Sequence, residues 1–164
     1  MVERARNSDS GGSYTCYGLG EPLPYPDNTF DLCLSTWVVL ELNTIEALNR
    51  FMCEIARVLR RGGTVFVVAN TAEFYGHRWR TCEVDFPENR APLSVGQVVK
   101  AKLLPENVIV NDIFWDDTTY RNALNQAEMD VTQVAHPLAT DSAPGEWLDE
   151  TRVAPWVIYE ATRP

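Results

Sequence analysis

Hydrophobic and polar positions divide the chain into runs of two periods. Residues 30–39, "FDLCLSTWVV", are almost continuously apolar, which predicts a strand covered on both faces. Residues 64–70, "TVFVVAN", predict a second strand of the same kind. Between them Leu48, Phe51, Met52, Ile55, Val58 and Leu59 recur at helical spacing and predict one buried face of an amphipathic helix. Asn43 is placed as its N-cap with Glu46 as capping-box partner, and Gly62 and Gly63 as its stop. Strand, helix and strand form a βαβ unit, so an α/β fold with a parallel sheet and a right-handed crossover is expected. "SYTCYG" (13–18) alternates and predicts a short strand, and "MVERAR" one or two helical turns. Later in the chain, 116–129 predicts a helix with Tyr120, Leu124 and Ala127 on one face. Residues 130–138 and 154–163 predict two closing strands, joined through an acidic loop containing "GEWLDET". Residues 71–110, rich in proline and aromatics, predict an inserted flap of loops and short helices.

Composition narrows the function. The 164 residues suffice for one domain with a core. The formal charge of -9 disfavours nucleic-acid backbones and anionic membrane surfaces, and points to a small molecule or a protein as partner. Arg57, Arg60 and Arg61 cluster at the predicted helix C-terminus, where cations suit the helix dipole. The four cysteines form no CxxC pair and lie at no metal-ligand spacing, so neither a metal site nor a disulfide framework is expected, and a reducing, cytoplasmic setting fits. Cys33 and Cys53 read as buried small hydrophobes.

Two motifs at fixed spacing carry a resemblance. "LPYPDNTFD" (23–31) is similar to a family pattern Leu-Pro-Phe-x-Asp-x-x-Phe-Asp. "RVLRRGG" (57–63) is similar to Arg-Val-Leu-Lys-Pro-Gly-Gly, with Arg61 in the proline place. Together with the paired closing strands they resemble the C-terminal portion of class I methyltransferases that use S-adenosylmethionine, in the type 11 small-molecule group. The resemblance implies a Rossmann-like sheet of order 3-2-1-4-5-7-6 in which Asp31 begins the fourth strand. The sheet is then incomplete at its N-terminal side. Residues 1–30 would be a remnant of the cofactor-binding half, 71–115 a flap over the acceptor site, and 1–164 a single domain. The glycine-rich first turn and the ribose-holding acid have no counterpart, so the chain alone is expected to bind S-adenosylmethionine weakly or not at all. It reads as a truncated gene product or a natural short form, inactive by itself.

The resemblance places Gly18, Leu19 and Gly20 at the adenine contact, with Leu19 where an aspartate is usual. Ser35, Thr36 and Trp37 end the first buried strand, where open α/β sheets place ligands. Asp31 either holds the turn or contacts cofactor. Glu41 either orients the acceptor or is a solvated acid before the helix. His77 is a candidate general base or an ordinary loop histidine. Tyr75, Trp79, Trp115 and Tyr120 are candidate acceptor contacts, with core packing as the alternative for Trp115 and Tyr120. The implied function is methyl transfer from S-adenosylmethionine to a small-molecule acceptor, completed by further residues or a partner chain. The alternative is a non-catalytic subunit that has lost cofactor binding. An unpartnered apolar strand at 30–39 predicts self-association, a partner protein, or the 13–17 strand moving into the gap.

Overall fold

The structure, a computed structural model, describes residues 2–9, 11–18, 20–140 and 145–164. After a short helix α1 (Val2–Ser8), strand β1 (Phe30–Thr36) leads through a 3₁₀ turn (Val38–Glu41) to helix α2 (Ile45–Val58). Strand β2 (Leu59–Asn70) follows directly. Three short strands come next: β3 (Cys82–Glu83), β4 (Val98–Leu103) and β5 (Val108–Ile113). Helix α3 (Asp117–Gln126) and strands β6 (Asp130–Ala135) and β7 (Trp156–Thr162) close the chain. The main sheet has order β1-β2-β7-β6, with β1 parallel to β2 and β7 antiparallel to both of its neighbours. That is the 4-5-7-6 part of the order the resemblance implies. Strands β3-β4-β5 form a separate antiparallel sheet, so the expected flap of loops and short helices carries a sheet of its own.

The core follows from the helical periodicity. Leu48, Met52 and Ile55 of α2, with Val65 and Val67 of β2, pack with Tyr120 and Leu124 of α3 and Tyr159 of β7. Phe51 is only half-buried, at the margin of this core. The helix ends differ from expectation. Thr44, not Asn43, is the N-cap: its Oγ1 accepts from the Ala47 N–H at 3.1 Å. The helix stops at Val58, before the glycines, because Leu59 already pairs with Phe30 as strand. Gly62 instead turns with φ +76 inside β2. A Cβ on Gly63 would meet the Arg60 carbonyl at 2.8 Å, so this position requires glycine. Cys53 is exposed, off the packed face of α2, and Cys33 is half-buried against the main core.

The two motifs touch through Arg57. Its guanidinium donates to the carbonyls of Leu23 (2.9 Å) and Tyr25 (2.8 Å), to Asp27 Oδ1 (2.7 Å) and to Glu54. The backbone N–H groups of Asn28 and Thr29 donate to the carbonyls of Arg57 and Val58. Arg60 Nη1 donates to both carboxylate oxygens of Asp31 at 2.8 Å, so Asp31 ties the start of β1 to β2. The acidic turn before the apolar strand is therefore the partner of the helix's basic end, and Arg57 and Arg60 are spent on it rather than on a basic patch.

The edge of β1 differs from the rest of the sheet. Residues 13–17 form no strand and do not fill it. Among the described residues no strand pairs with the outer side of β1. Leu32 is 57% and Leu34 68% exposed. Alternation in 13–18 is a propensity that meets no partner strand among the described residues, and of the two faces of 30–39 expected to be covered, the one carrying Leu32 and Leu34 is exposed. A shallow groove of about 280 Å³ runs along this edge, lined by Tyr17, Leu32, Leu34 and Ser35 with Phe51 and Ile55 of α2.

Candidate active site

A cavity of about 790 Å³ lies where β1 and β2 end and β7 begins. Trp37, Asn70 and Trp156 mark those three strand ends, and Pro137 and Leu138 follow the end of β6. The small sheet supplies the opposite wall through Cys82, Ala101, Leu103, Val110 and Asp112. This is the carboxyl end of the parallel pair, where the backbone stops and side chains can converge on a ligand.

Trp37 is held there by an unusual backbone. Its φ is +58, a left-handed conformation that costs energy in a bulky residue and is retained where surroundings impose it. Its N–H donates to the Val68 carbonyl at 2.9 Å, and its carbonyl accepts from the Leu40 N–H. The indole meets Trp156 edge-on at 5.6 Å between ring centroids.

A polar network lines the buried side. Asn70 Nδ2 donates to the Tyr75 hydroxyl oxygen (3.1 Å) and to Asp112 Oδ2 (3.4 Å). The Tyr75 hydroxyl donates to the same Oδ2 at 3.2 Å. Among the described residues nothing donates to Asp112 Oδ1, although Asp112 is only 6% exposed. Burial pushes the Asp112 carboxyl up to about 6, the Tyr75 hydrogen bond pulls the other way, and the negative charge of Glu41 adds to the rise. Burial, then the charge of Asp112, pushes the Tyr75 hydroxyl far above its ordinary value, so it stays protonated and donates. A carboxylate titrating near neutrality beside a cavity is placed to exchange a proton with a bound molecule.

The structure sorts the candidates from sequence. Glu41, Trp37 and Trp79 line the cavity. Trp79 is pinned by its Nε1–H to the Phe74 carbonyl at 2.7 Å and stacks on Phe74. Tyr75 is not on the lining and reaches it through its hydrogen bonds with Asp112 and Asn70. Ser35 is buried at the end of β1, its Oγ finds no hydrogen-bond partner among the described residues, and it lines the edge groove. Thr36 beside it is exposed. Gly18 and Gly20 line neither space: the Gly18 N–H donates to Glu21, and the Gly20 carbonyl accepts from Arg50 at 3.4 Å. Leu19 lies outside the described residues. His77 opens onto a different cavity of about 570 Å³, with Nδ1 3.8 Å from Asp149, because the turn at Glu73–Gly76 carries it behind Tyr75. Trp115 and Tyr120 are core residues: Trp115 donates to the Leu42 carbonyl at 3.2 Å, and Tyr120 is buried in the main cluster. Asp112, Asn70, Trp147 and Trp156 were not anticipated. One signal existed for Asp112, an acid in "VIVNDIF" on the strand face shared with Val110 and Phe114.

Comparison with known proteins agrees with this architecture. The model of a family described as a methyltransferase domain matches residues 1–67, a span that holds both motifs. No curated protein sequence matches the chain. A protein from Listeria monocytogenes assigned as an S-adenosylmethionine-dependent methyltransferase shares the fold at 14% identity and TM-score 0.69, covering 100% of this chain and 76% of its own. An S-adenosylmethionine-dependent methyltransferase from Mesorhizobium loti does so at 18% identity and TM-score 0.67, covering 99% and 76%. A Haloferax volcanii protein, assigned as a methyltransferase and solved in complex with the Trm112 methyltransferase activator, matches at 19% identity and TM-score 0.63, covering 100% and 68%. The fold is the Rossmann-like fold of S-adenosylmethionine-dependent methyltransferases, and the resemblance carried by the two motifs is to that family.

Proposed function

We propose that this chain takes part in methyl transfer from S-adenosylmethionine to a small-molecule acceptor held in the cavity at the strand ends. The observation that carries the reading is the convergence of Trp37, at the end of β1, with Asp112 and its network in one space. The residues present fit one side of the cofactor: the orphaned Ser35 hydroxyl, Thr36 and Trp37 end the strand beside the cavity. The cofactor, when bound, supplies an activated sulfonium methyl. The chain's own work is positioning and water exclusion, which make an in-line displacement fast without many catalytic groups. Trp37, Trp79 and Trp156 provide apolar walls, Glu41 orients a polar group, and Asp112 takes the acceptor's proton. Residues 71–115 serve as the flap over this site.

Completion of the cofactor side along β1 is part of the proposal. The bare edge favours a second copy or a partner chain seated there, and it equally supports the runner-up reading of a non-catalytic subunit. Calorimetric titration separates these. The chain alone is expected to bind S-adenosylmethionine weakly; binding at micromolar strength or better would show that the edge needs no completion. Transfer of labelled methyl into a panel of small acceptors, lost in Asp112→Ala, is the expected activity of the completed assembly. Absence of both binding and transfer in every assembly state would decide for the non-catalytic subunit.

A further inference from the structure

We infer that the acceptor is a small molecule that joins a protonated amine to an apolar or aromatic body. The inference rests on the methyl-transfer reading for the reaction but on the cavity alone for binding. Every ionisable side chain on the lining that carries charge near neutrality is acidic: Glu41, Glu106, Asp112 and Glu150, with no lysine, arginine or histidine among the described lining residues. Arg80, whose guanidinium stacks over Trp147 at 5.5 Å, is not on the lining.

The four acids are not equivalent. Glu150 is buried, and its two oxygens accept from the N–H groups of Arg80 and Leu148 at 2.6 Å, so it is already satisfied by backbone. Asp112 spends one oxygen on Asn70 and Tyr75, and its other oxygen accepts nothing from the described residues. Glu41 lies near enough for its charge to act on Asp112. Two acids are thus gathered beside one cavity with no lysine, arginine or histidine among its described lining residues to balance them. A buried carboxylate without a positive partner is costly, and a ligand ammonium is the partner that removes the cost. The remaining wall suits the same ligand. Trp37, Phe74, Trp79 and Trp156 offer ring faces and edges to an apolar body, and aromatic faces attract a cation rather than an anion. A carboxylate or phosphate acceptor would face uncompensated repulsion, and a neutral alcohol would donate a hydrogen bond to Asp112 without bringing the positive charge that balances it.

The chemistry closes. An ammonium has no lone pair to attack with. Asp112 Oδ1 takes one proton from it, and the freed nitrogen pair forms the bond to the methyl carbon. The bond from that carbon to the sulfonium breaks with its electron pair going to sulfur, leaving a methylated ammonium.

Three probes of one shape test the inference by calorimetry on the full chain: tryptamine, its neutral alcohol analogue tryptophol, and the anion indole-3-propionate. Tryptamine is expected to bind about tenfold more tightly than tryptophol, with indole-3-propionate weakest. Asp112→Asn and Glu41→Gln should each reduce the tryptamine preference severalfold and leave tryptophol affinity in place. Because Glu41 is exposed, Glu41→Gln remains informative if the buried substitution unfolds the chain. Equal or tighter binding of tryptophol or the anion overturns the inference, as does a preference unchanged in Glu41→Gln, or no binding of any probe. Amine preference without methyl transfer in any assembly state would instead retire the proposed reaction and leave the binding site standing.

Discussion

Leu48 and Leu34 are the same side chain in opposite circumstances. Leu48 is 0% exposed between α2 and the sheet, whereas Leu34 is 68% exposed on the outer side of β1. The first belongs to a half of the molecule whose elements are all matched: α2, β2, β7 and α3 close one core, and the cavity beyond the strand ends has walls on two sides. The second belongs to an edge with backbone and apolar side chains for which the described residues offer no partner. The difference teaches that the walls of the cavity are set by packed elements of this chain, whereas the outer side of β1 meets no partner among the described residues.

The strongest way to break that comparison is to truncate both leucines. Leu48→Ala is expected to cost about 3 kcal/mol and Leu34→Ala about 0.5 kcal/mol or less in denaturant unfolding. A comparable loss at Leu34 would show that the edge is covered in solution. Light scattering asks the same question by mass. The chain is expected to run above its 18.5 kDa monomer mass, and Leu34→Lys to return it to monomer, since a lysine on an edge strand blocks pairing. A monomeric wild type would mean that the edge stands alone.

Acid titration probes the built side. The Asp112 carboxyl is raised in the folded state from 3.8 to about 6, so folding takes up a proton between those values. A raised carboxyl contributes stability when protonated and loses it as pH climbs through that window. The stability of wild type minus that of Asp112→Asn should therefore fall between pH 3.8 and about 6, then level off. A rising difference would mean that the site holds the carboxylate ionised. The smallest effect concerns the helix that roofs the core. Thr44→Ala should cost about 1 kcal/mol, and Asn43→Ala a few tenths, because only Thr44 satisfies a helix N–H.

Periodicity made much of the fold legible. The strands at 64–70, 130–138 and 154–163 and the helix at 116–129 came from patterns that local geometry enforces. Where a pattern needs a partner, the sequence could mislead: among the described residues 13–18 alternates like a strand but meets no ladder, and 30–39 reads as doubly covered although Leu32 and Leu34 are exposed. The small sheet was missed although β4 and β5 are as long as β6, because the prolines and aromatics around them made 71–110 read as one flap of loops. Of the cavity lining, Trp37 and Glu41 were named because they follow a recognisable strand, and Trp79 only as an aromatic of the flap. Asp112 and Asn70 were not, because their meeting joins residues 42 positions apart across two sheets, and His77 was misdirected by its neighbours in sequence.

The tryptophans around the cavity have an optical consequence. The chain holds five, and four of them, Trp37, Trp79, Trp147 and Trp156, line this one space, while Trp115 lies in the main core. Trp37 and Trp156 are partly exposed and 5.6 Å apart. The intrinsic emission of the protein is thus dominated by the site itself. Entry of a ligand without an indole should shift or quench that emission, so occupancy can be followed on the unlabelled chain, with Trp115 as the internal reference.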